Sequence, residues 1–135
     1  MTLRRKAREY ALQMLFQWEV GAHDPARVEA SFWKSARAEK KTRDFANQLF
    51  EKTVAAEKDL DRLIEQHAEN WRLDRMAAID RNILRLAACE LRSGDNPPKV
   101  VINEAVELAK KFSSEDSAPF INGILDAIRK ALSKP

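Results

Sequence analysis

Apolar residues recur at three- and four-residue intervals along most of the chain, which is the spacing of one face of an α-helix. The clearest stripe lies within residues 3–20 and consists of Ala7, Tyr10, Ala11, Met14, Leu15 and Trp18. A flank beside this stripe carries Arg5, Arg8, Leu12 and Phe16. The pattern predicts a first helix with one face in the core and a basic, aromatic flank of the kind that single-stranded nucleic acid prefers.

Turn-forming and capping residues divide the rest of the chain into further helices. Asp24 and Pro25 suit the N-cap and the first position of a second helix. After a polar link over residues 37–43, Thr42 is expected to cap a long third helix that runs to about residue 67. Three later stripes predict helices over residues 79–92, 100–112 and about 117–132.

The same pattern indicates the fold class, because no segment alternates between apolar and polar residues as a half-buried strand does. We therefore expect an all-α protein with about six or seven helices and short connections. The many charged residues that follow Ala55 and Ala56 predict a fully solvated outer side for the third helix. Gly123, inside the last helix, is expected to allow close packing against another helix.

The charge is unevenly distributed. The chain of 135 residues holds 24 basic and 21 acidic residues, which gives a net charge of +3 at pH 7. The first ten residues contain Arg4, Arg5, Lys6 and Arg8 beside a single acid, Glu9. The rest of the chain carries equal numbers of each sign, so the whole excess lies at one end of the first helix. This end is either a solvated terminus or a site for anionic partners.

Length and composition favour one globular domain with a core that needs neither disulfides nor metals. The single cysteine excludes a disulfide framework. No apolar run approaches membrane-spanning length and no signal peptide precedes the first helix, so the cytoplasm is the expected location and a membrane partner is not expected.

The residues that could support catalysis are few. The two histidines, His23 and His67, lie by a predicted turn and near a helix end, and Cys89 falls within a helix as a small buried hydrophobe. Three glycines cannot build a phosphate-binding loop, and no spacing fits a zinc site. We expect no catalysis, no cofactor and no metal, which leaves binding as the function.

Four motifs, taken in order, resemble the NusB family of transcription antitermination factors over essentially the whole chain. The first combines residues 5–9 with residues 13–16, and the second combines residues 80–87 with Glu90 and Leu91. The third and fourth are residues 101–110, VINEAVELAK, and residues 120–126, FINGILD. Each motif is only moderately specific, whereas the four together are highly specific.

The resemblance implies an all-helical fold of two small packed bundles, about residues 1–70 and 71–135, that divide near Trp71. It implies a non-catalytic adaptor that binds the single-stranded boxA element of ribosomal RNA leaders together with NusE, a small-subunit ribosomal protein. The complex would join other Nus factors on RNA polymerase and suppress premature termination.

The resemblance also assigns roles to particular residues. The positions that match the family's RNA contacts are Arg4, Arg5, Lys6, Arg8, Phe16, Phe120 and Asn122. Asp116 matches a loop position that tunes RNA affinity and, being acidic, is expected to restrain it. The helix that carries Asp80, Arg81 and Leu84 is implied to face NusE.

Alternatives remain for several of these residues and for the function. Phe16 and Phe120 could be core aromatics, Asn122 could serve packing alone, and Asp80 could cap its helix or pair with Arg81 or Arg85. The chain could also be a homo-oligomeric interaction module without direct RNA binding, and a homodimer is possible when the chain is free of its partners. A helper domain of a ribosomal RNA methyltransferase is a third possibility, although no cofactor-binding domain is visible.

Overall fold

The structure, a computed structural model, describes residues 2–21, 24–69 and 72–133, so His23 and Trp71 lie outside the described residues. Seven α-helices and one short 3₁₀ turn account for most of this part of the chain, and it contains no strand. The α-helices are α1 (Leu3–Gly21), α2 (Pro25–Ser35), α3 (Lys40–Ala55), α4 (Glu57–His67), α5 (Ala78–Ser93), α6 (Pro98–Phe112) and α7 (Ser117–Leu132), and the 3₁₀ turn is Leu73–Arg75. The predicted all-α fold is confirmed.

The chain forms two compact units, Met1–Ala55 and Ala56–Pro135, which we call unit 1 and unit 2. In unit 1, α1 packs against both α2 and α3. An aromatic cluster joins α1 to α2, because the Tyr10 ring lies edge-on to Phe32 and Trp33 at centroid distances of 5.6 and 5.3 Å. Such edge-to-face pairs stabilise a packed interface beyond their buried area. The apolar side chains buried in unit 1 include Ala7, Ala11, Met14, Leu15, Val28, Phe32, Ala46 and Phe50.

Unit 2 is built around α5, which packs against α4, α6 and α7. Every residue from 82 to 91 of α5 is buried, including its polar ones. A helix that is buried on all sides is a core helix rather than a surface helix. The largest fully buried side chains of this unit are Leu60, Ile64, Ile83, Leu84, Leu86, Ile121, Leu125 and Ile128.

A buried arginine fastens α5 to α4. Arg85 donates from Nε to Asp61 Oδ1 at 2.7 Å and from Nη2 to Asp61 Oδ2 at 2.9 Å, a two-point ion pair. Its Nη2 also lies 3.6 Å from Glu57 Oε2. This ion pair corrects the expectation of a fully solvated outer side, since Glu57 and Asp61 face α5.

The long helix predicted to run to about residue 67 is in fact two helices. It is interrupted at Ala56, whose φ of −103° and ψ of 12° are outside the helical region. The following helix, α4, packs with α5 and α7, so it belongs to unit 2. The two units therefore divide at Ala55 and Ala56, earlier in the chain than the division predicted near Trp71.

One predicted helix start is confirmed and another needs correction. Asp24 occupies the N-cap position and Pro25 begins α2, as predicted. The Asp24 side chain makes no capping bond, and its main-chain carbonyl accepts from the N–H groups of Arg27 and Val28. Thr42 is a buried residue inside the first turn of α3, because that helix begins at Lys40. Gly94 ends α5 in the left-handed region at a φ of 74°, two residues after the predicted end of that helix at residue 92.

Candidate nucleic-acid interface

The predicted basic residues lie at the start of α1. Thr2 caps this end of the helix. The Arg5 N–H donates to Thr2 Oγ1 at 3.1 Å, and the Lys6 N–H donates to the Thr2 carbonyl at 3.1 Å. A hydroxyl residue that satisfies a free N–H at a helix start stabilises that start. Arg4 is exposed, whereas Arg5 and Lys6 are half-buried, so three cationic side chains reach solvent from one turn.

Arg8 is different, because only 4% of its surface is exposed. Its guanidinium carbon lies 5.9 Å from the ring centroid of Phe45 on α3, and that of Arg4 lies 5.2 Å from the same centroid. Leu12, the next residue on the predicted flank, is also buried. The structure therefore places Arg8 and Leu12 in the interior, and only Arg5 and Phe16 of the predicted flank keep an exposed surface.

Phe16 keeps an exposed surface on α1. Phe16 is 37% exposed, which is unusual for a large apolar side chain. It is one of the few large apolar residues at the surface, so the core alternative for Phe16 is not supported. Together with Arg4, Arg5 and Lys6, it gives α1 both exposed cations and an exposed aromatic.

The remaining predicted RNA residues lie in unit 2, at the start of α7. Asn122 is exposed and Phe120 is half-buried. Asp116 is exposed and immediately precedes α7, but its side chain makes no capping bond. Gly123 is exposed as well, and a Cβ at this position would meet no atom within 4 Å. The expectation of close helix packing at Gly123 is therefore wrong.

Asp80 anchors the start of α7. Its Oδ2 accepts a hydrogen bond from Ser117 Oγ at 3.0 Å, while Oδ1 is buried and has no hydrogen-bond partner among the described residues. The Ser117 hydroxyl also lies 3.1 Å from the hydroxyls of both Ser113 and Ser114. This network holds the loop before α7, one helical turn from Phe120. For Asp80 the sequence suggests a helix cap or an ion pair with Arg81 or Arg85. The structure shows a hydrogen bond with a serine hydroxyl instead.

The other two residues implied to face NusE also have structural roles. Arg81 donates from Nη1 to the carbonyl oxygens of Leu73 at 2.9 Å and Met76 at 2.8 Å, so it fastens the 3₁₀ turn to α5. Leu84 is fully buried and cannot reach a partner from this position. Only Arg81 is half-buried and retains an exposed part.

The residues that were considered for catalysis lie in the core or at the end of a helix. Cys89 is buried, as predicted for a small hydrophobe. His67 Nδ1 lies 2.9 Å from the Leu63 carbonyl oxygen one turn earlier. Within residues 2–21, 24–69 and 72–133, no three His, Cys, Asp or Glu side chains are grouped so that they could hold a metal ion. No helix in this described part is long and apolar enough to cross a membrane.

Comparison with known proteins decides the family. The model of the NusB family matches residues 5–130. The chain belongs to the NusB family of transcription antitermination factors. It is 49% identical over 131 residues to the transcription antitermination protein NusB of Koribacter versatilis (strain Ellin345), which covers 96% of this chain and 90% of that protein. It is 48% identical to the NusB of Myxococcus xanthus (strain DK1622), with both chains fully covered.

A solved structure extends the NusB comparison to the fold. The chain is similar to a crystal structure of the antitermination factors NusB and NusE in complex with double-stranded RNA. The TM-score is 0.88 at 30% identity, and the match covers 97% of this chain and 98% of that one. That NusB protein binds NusE and RNA, and it shares the all-helical fold of this member of the family.

Sequence reasoning missed the residues that hold the NusB fold in place here. The Asp80–Ser117 bond and the Arg85–Asp61 pair were not predicted, because each joins positions whose proximity depends on tertiary packing. The capping bond of Thr2 was not predicted either, although a usable signal existed: a hydroxyl residue directly precedes the first predicted helix.

Proposed function

We propose that this chain is a non-catalytic RNA-binding adaptor that binds the boxA element of ribosomal RNA leader transcripts together with NusE and promotes transcription antitermination. The observation that carries the proposal is the start of α1, where Arg4, Arg5 and Lys6 reach solvent on the same helix as the exposed Phe16. Cationic groups hold phosphates, and exposed aromatics stack on unpaired bases.

The proposed RNA contacts are Arg4, Arg5, Lys6 and Phe16 from unit 1 and Phe120 and Asn122 from unit 2, with Asp116 restraining affinity through its negative charge. Arg8 supports these contacts from the interior, through its position near Phe45. If about three phosphates of a single strand are neutralised, the logarithmic salt slope is about −2, and affinity falls roughly 20-fold between 50 and 200 mM salt. Such modest affinity suits an adaptor that gains from a second protein.

We place the NusE contact near the start of α5, through the exposed part of Arg81. Asp80 and Leu84 then act from within, by fixing the loop before α7 and the core beneath it. Other Nus factors and RNA polymerase would be reached through the complex. The similar solved structure contains double-stranded RNA, so the experiment below includes a boxA duplex beside the single strand.

The experiment measures the binding of boxA RNA to the chain and to an Arg4→Gln, Lys6→Gln variant. Removing about two phosphate contacts should weaken binding roughly 10- to 30-fold near 0.1 M salt and make the salt slope shallower by about 1.4. Arg75→Gln with Lys99→Gln is the matched control, because it removes the same two charges from exposed positions of unit 2.

The proposal is contradicted if the α1 variant and the control bind boxA RNA equally well. A boxA duplex and a scrambled single strand serve as competitors, and both should compete poorly. If the chain forms a dimer whose assembly neither RNA nor NusE changes, the homo-oligomeric alternative is favoured instead.

A further inference from the structure

A second basic segment lies in unit 1, between the end of α2 and the start of α3. Residues 34–43 contain five basic residues and one acid, Glu39. The basic members, which we call the 34–43 patch, are Lys34, Arg37, Lys40, Lys41 and Arg43, and all five are exposed. Lys40 pairs with Asp44 at 2.8 Å but keeps 89% of its side chain in solvent.

A groove opens beside this patch. It has a volume of about 460 Å³ and is lined by Trp33, Lys34, Arg43, Asn47, Glu29 and two alanines of α2. Trp33 is held in place, because its Nε1 donates to Asn47 Oδ1 at 2.8 Å. The guanidinium carbon of Arg43 lies 5.2 Å from the Trp33 ring centroid. An aromatic ring beside a guanidinium is the usual platform for an unpaired base, and a groove of this volume can hold one.

The patch adjoins the basic end of α1. Tyr10 Oη donates to the Arg37 carbonyl at 3.2 Å, and Lys6 Nζ lies 5.1 Å from the Tyr10 ring centroid. Arg4 lies over Phe45, which is on the same helix as Lys41 and Arg43. The cations of α1 and those of the patch therefore form one continuous surface of unit 1.

We propose that the 34–43 patch is a second nucleic-acid contact, which holds the phosphates of single-stranded RNA that flanks the element bound at α1 and receives one unpaired base in the Trp33 groove. This inference rests on the proposed function, since it extends the same RNA beyond its first contact. RNA is favoured over an acidic protein because the patch is continuous with the α1 cations and combines them with an aromatic.

The groove contains one acidic group, Glu29, which is about half protonated near pH 7. The pKa of Glu29 is raised to about 7. Burial is the largest cause, and a hydrogen bond with Glu51 and repulsion from its charge add to the shift. A protonated Glu29 does not repel a phosphate, and it can donate a hydrogen bond to a base.

The test compares two RNAs by fluorescence anisotropy over a range of salt: a core boxA strand, and the same strand with unpaired uridines added on its 5′ or its 3′ side. The variant is Lys34→Gln, Arg37→Gln, Lys41→Gln. The control, Lys58→Gln, Arg75→Gln, Lys99→Gln, removes two lysines and one arginine from exposed positions of unit 2.

The unmodified chain should bind an extended RNA more tightly than the core, and the variant should lose that gain. Three lost phosphate contacts should weaken binding of the extended RNA about 10- to 100-fold near 0.1 M salt and make its salt slope shallower by about 2. Binding of the core strand should change little in the variant, and the control should behave as the unmodified chain does.

The inference is overturned if the variant keeps the gain from the extension, or if the control loses as much as the variant. If the unmodified chain binds the core strand but gains nothing from either extension, this inference fails and the proposed function stands. If no form of the chain prefers boxA, the proposed function fails first. If the variant binds both RNAs as the unmodified chain does but no longer binds NusE, the patch is a protein-binding surface.

Discussion

Two arginines one turn apart on α1 show how strongly surroundings decide the role of a residue. Arg4 and Arg8 share a helix face and both lie over Phe45, yet Arg4 is exposed and Arg8 is buried. A buried arginine contributes through the packing of its stem and its contact with the ring as well as through its charge. Substitution of the buried Arg8 would therefore change stability together with RNA binding, whereas substitution of the exposed Arg4 should disturb the packing of the interior less.

Glu29 gives unit 1 a pH-dependent stability. Its pKa rises from 4.5 to about 7, mainly by burial and then through Glu51, while Lys34 and Arg43 line the same groove. The folded state therefore holds this proton to higher pH than the unfolded chain does. The contribution to stability is fully present below pH 4.5 and is lost as the pH rises through about 7.

Glu29→Gln should consequently stabilise the chain more at pH 8 than at pH 5. Because the group is partly open to solvent, we discount the effect to about 1 kcal/mol between the two pH values. Denaturant unfolding at both pH values measures it, with Glu65→Gln, an exposed glutamate of α4, as the control for the substitution itself. The same gain at both pH values would contradict this account of Glu29.

The helix α7 contains a glycine that its packing does not require. Gly123 is exposed within the helix, and a Cβ there would meet no atom within 4 Å. Gly123→Ala should raise the free energy of unfolding by about 1 kcal/mol, because alanine loses less backbone entropy in a helix. Thermal and denaturant unfolding measure this change.

Gly94→Ala is the matched control for Gly123→Ala, with the opposite sign expected. Gly94 has a φ of 74°, where a Cβ is strained, so the same substitution should destabilise the chain by about 1 kcal/mol. If both substitutions changed stability in the same direction, the assignment of the two glycines would be wrong.

Most elements could be predicted from the sequence, since helix periodicity and turn residues are local. The six predicted boundaries of the last three helices agree with α5, α6 and α7 to within a residue or two, and Pro25 begins α2 as expected. The break at Ala56 could not be predicted, because the sequence on both sides is strongly helical. The packing of α4 with α5 and α7 accompanies that break.

The candidate site was predictable only in part. Exposure of Phe16 and of the first cations follows from the pattern, whereas the burial of Arg8, Leu84 and Asp80 depends on tertiary neighbours. The 34–43 patch was hidden for another reason. Acidic residues elsewhere in residues 11–135 cancel its positive charge. The net charge of that whole range is therefore zero and does not reveal the patch.

Membership of the NusB family and the exposed cations of α1 support the claim, proposed above, that the chain joins an RNA and a protein. We expect such an adaptor to couple its two ligands, and coupling between two sites is reciprocal. Each ligand should therefore increase the affinity for the other by the same factor.

The most direct test is the affinity for boxA RNA measured with and without saturating NusE. We predict an increase of about 5- to 150-fold in the presence of NusE, and the same factor for NusE when RNA is present. NusE alone must bind the RNA more weakly than the pair does. An affinity for boxA that is equal with and without NusE would contradict the claim.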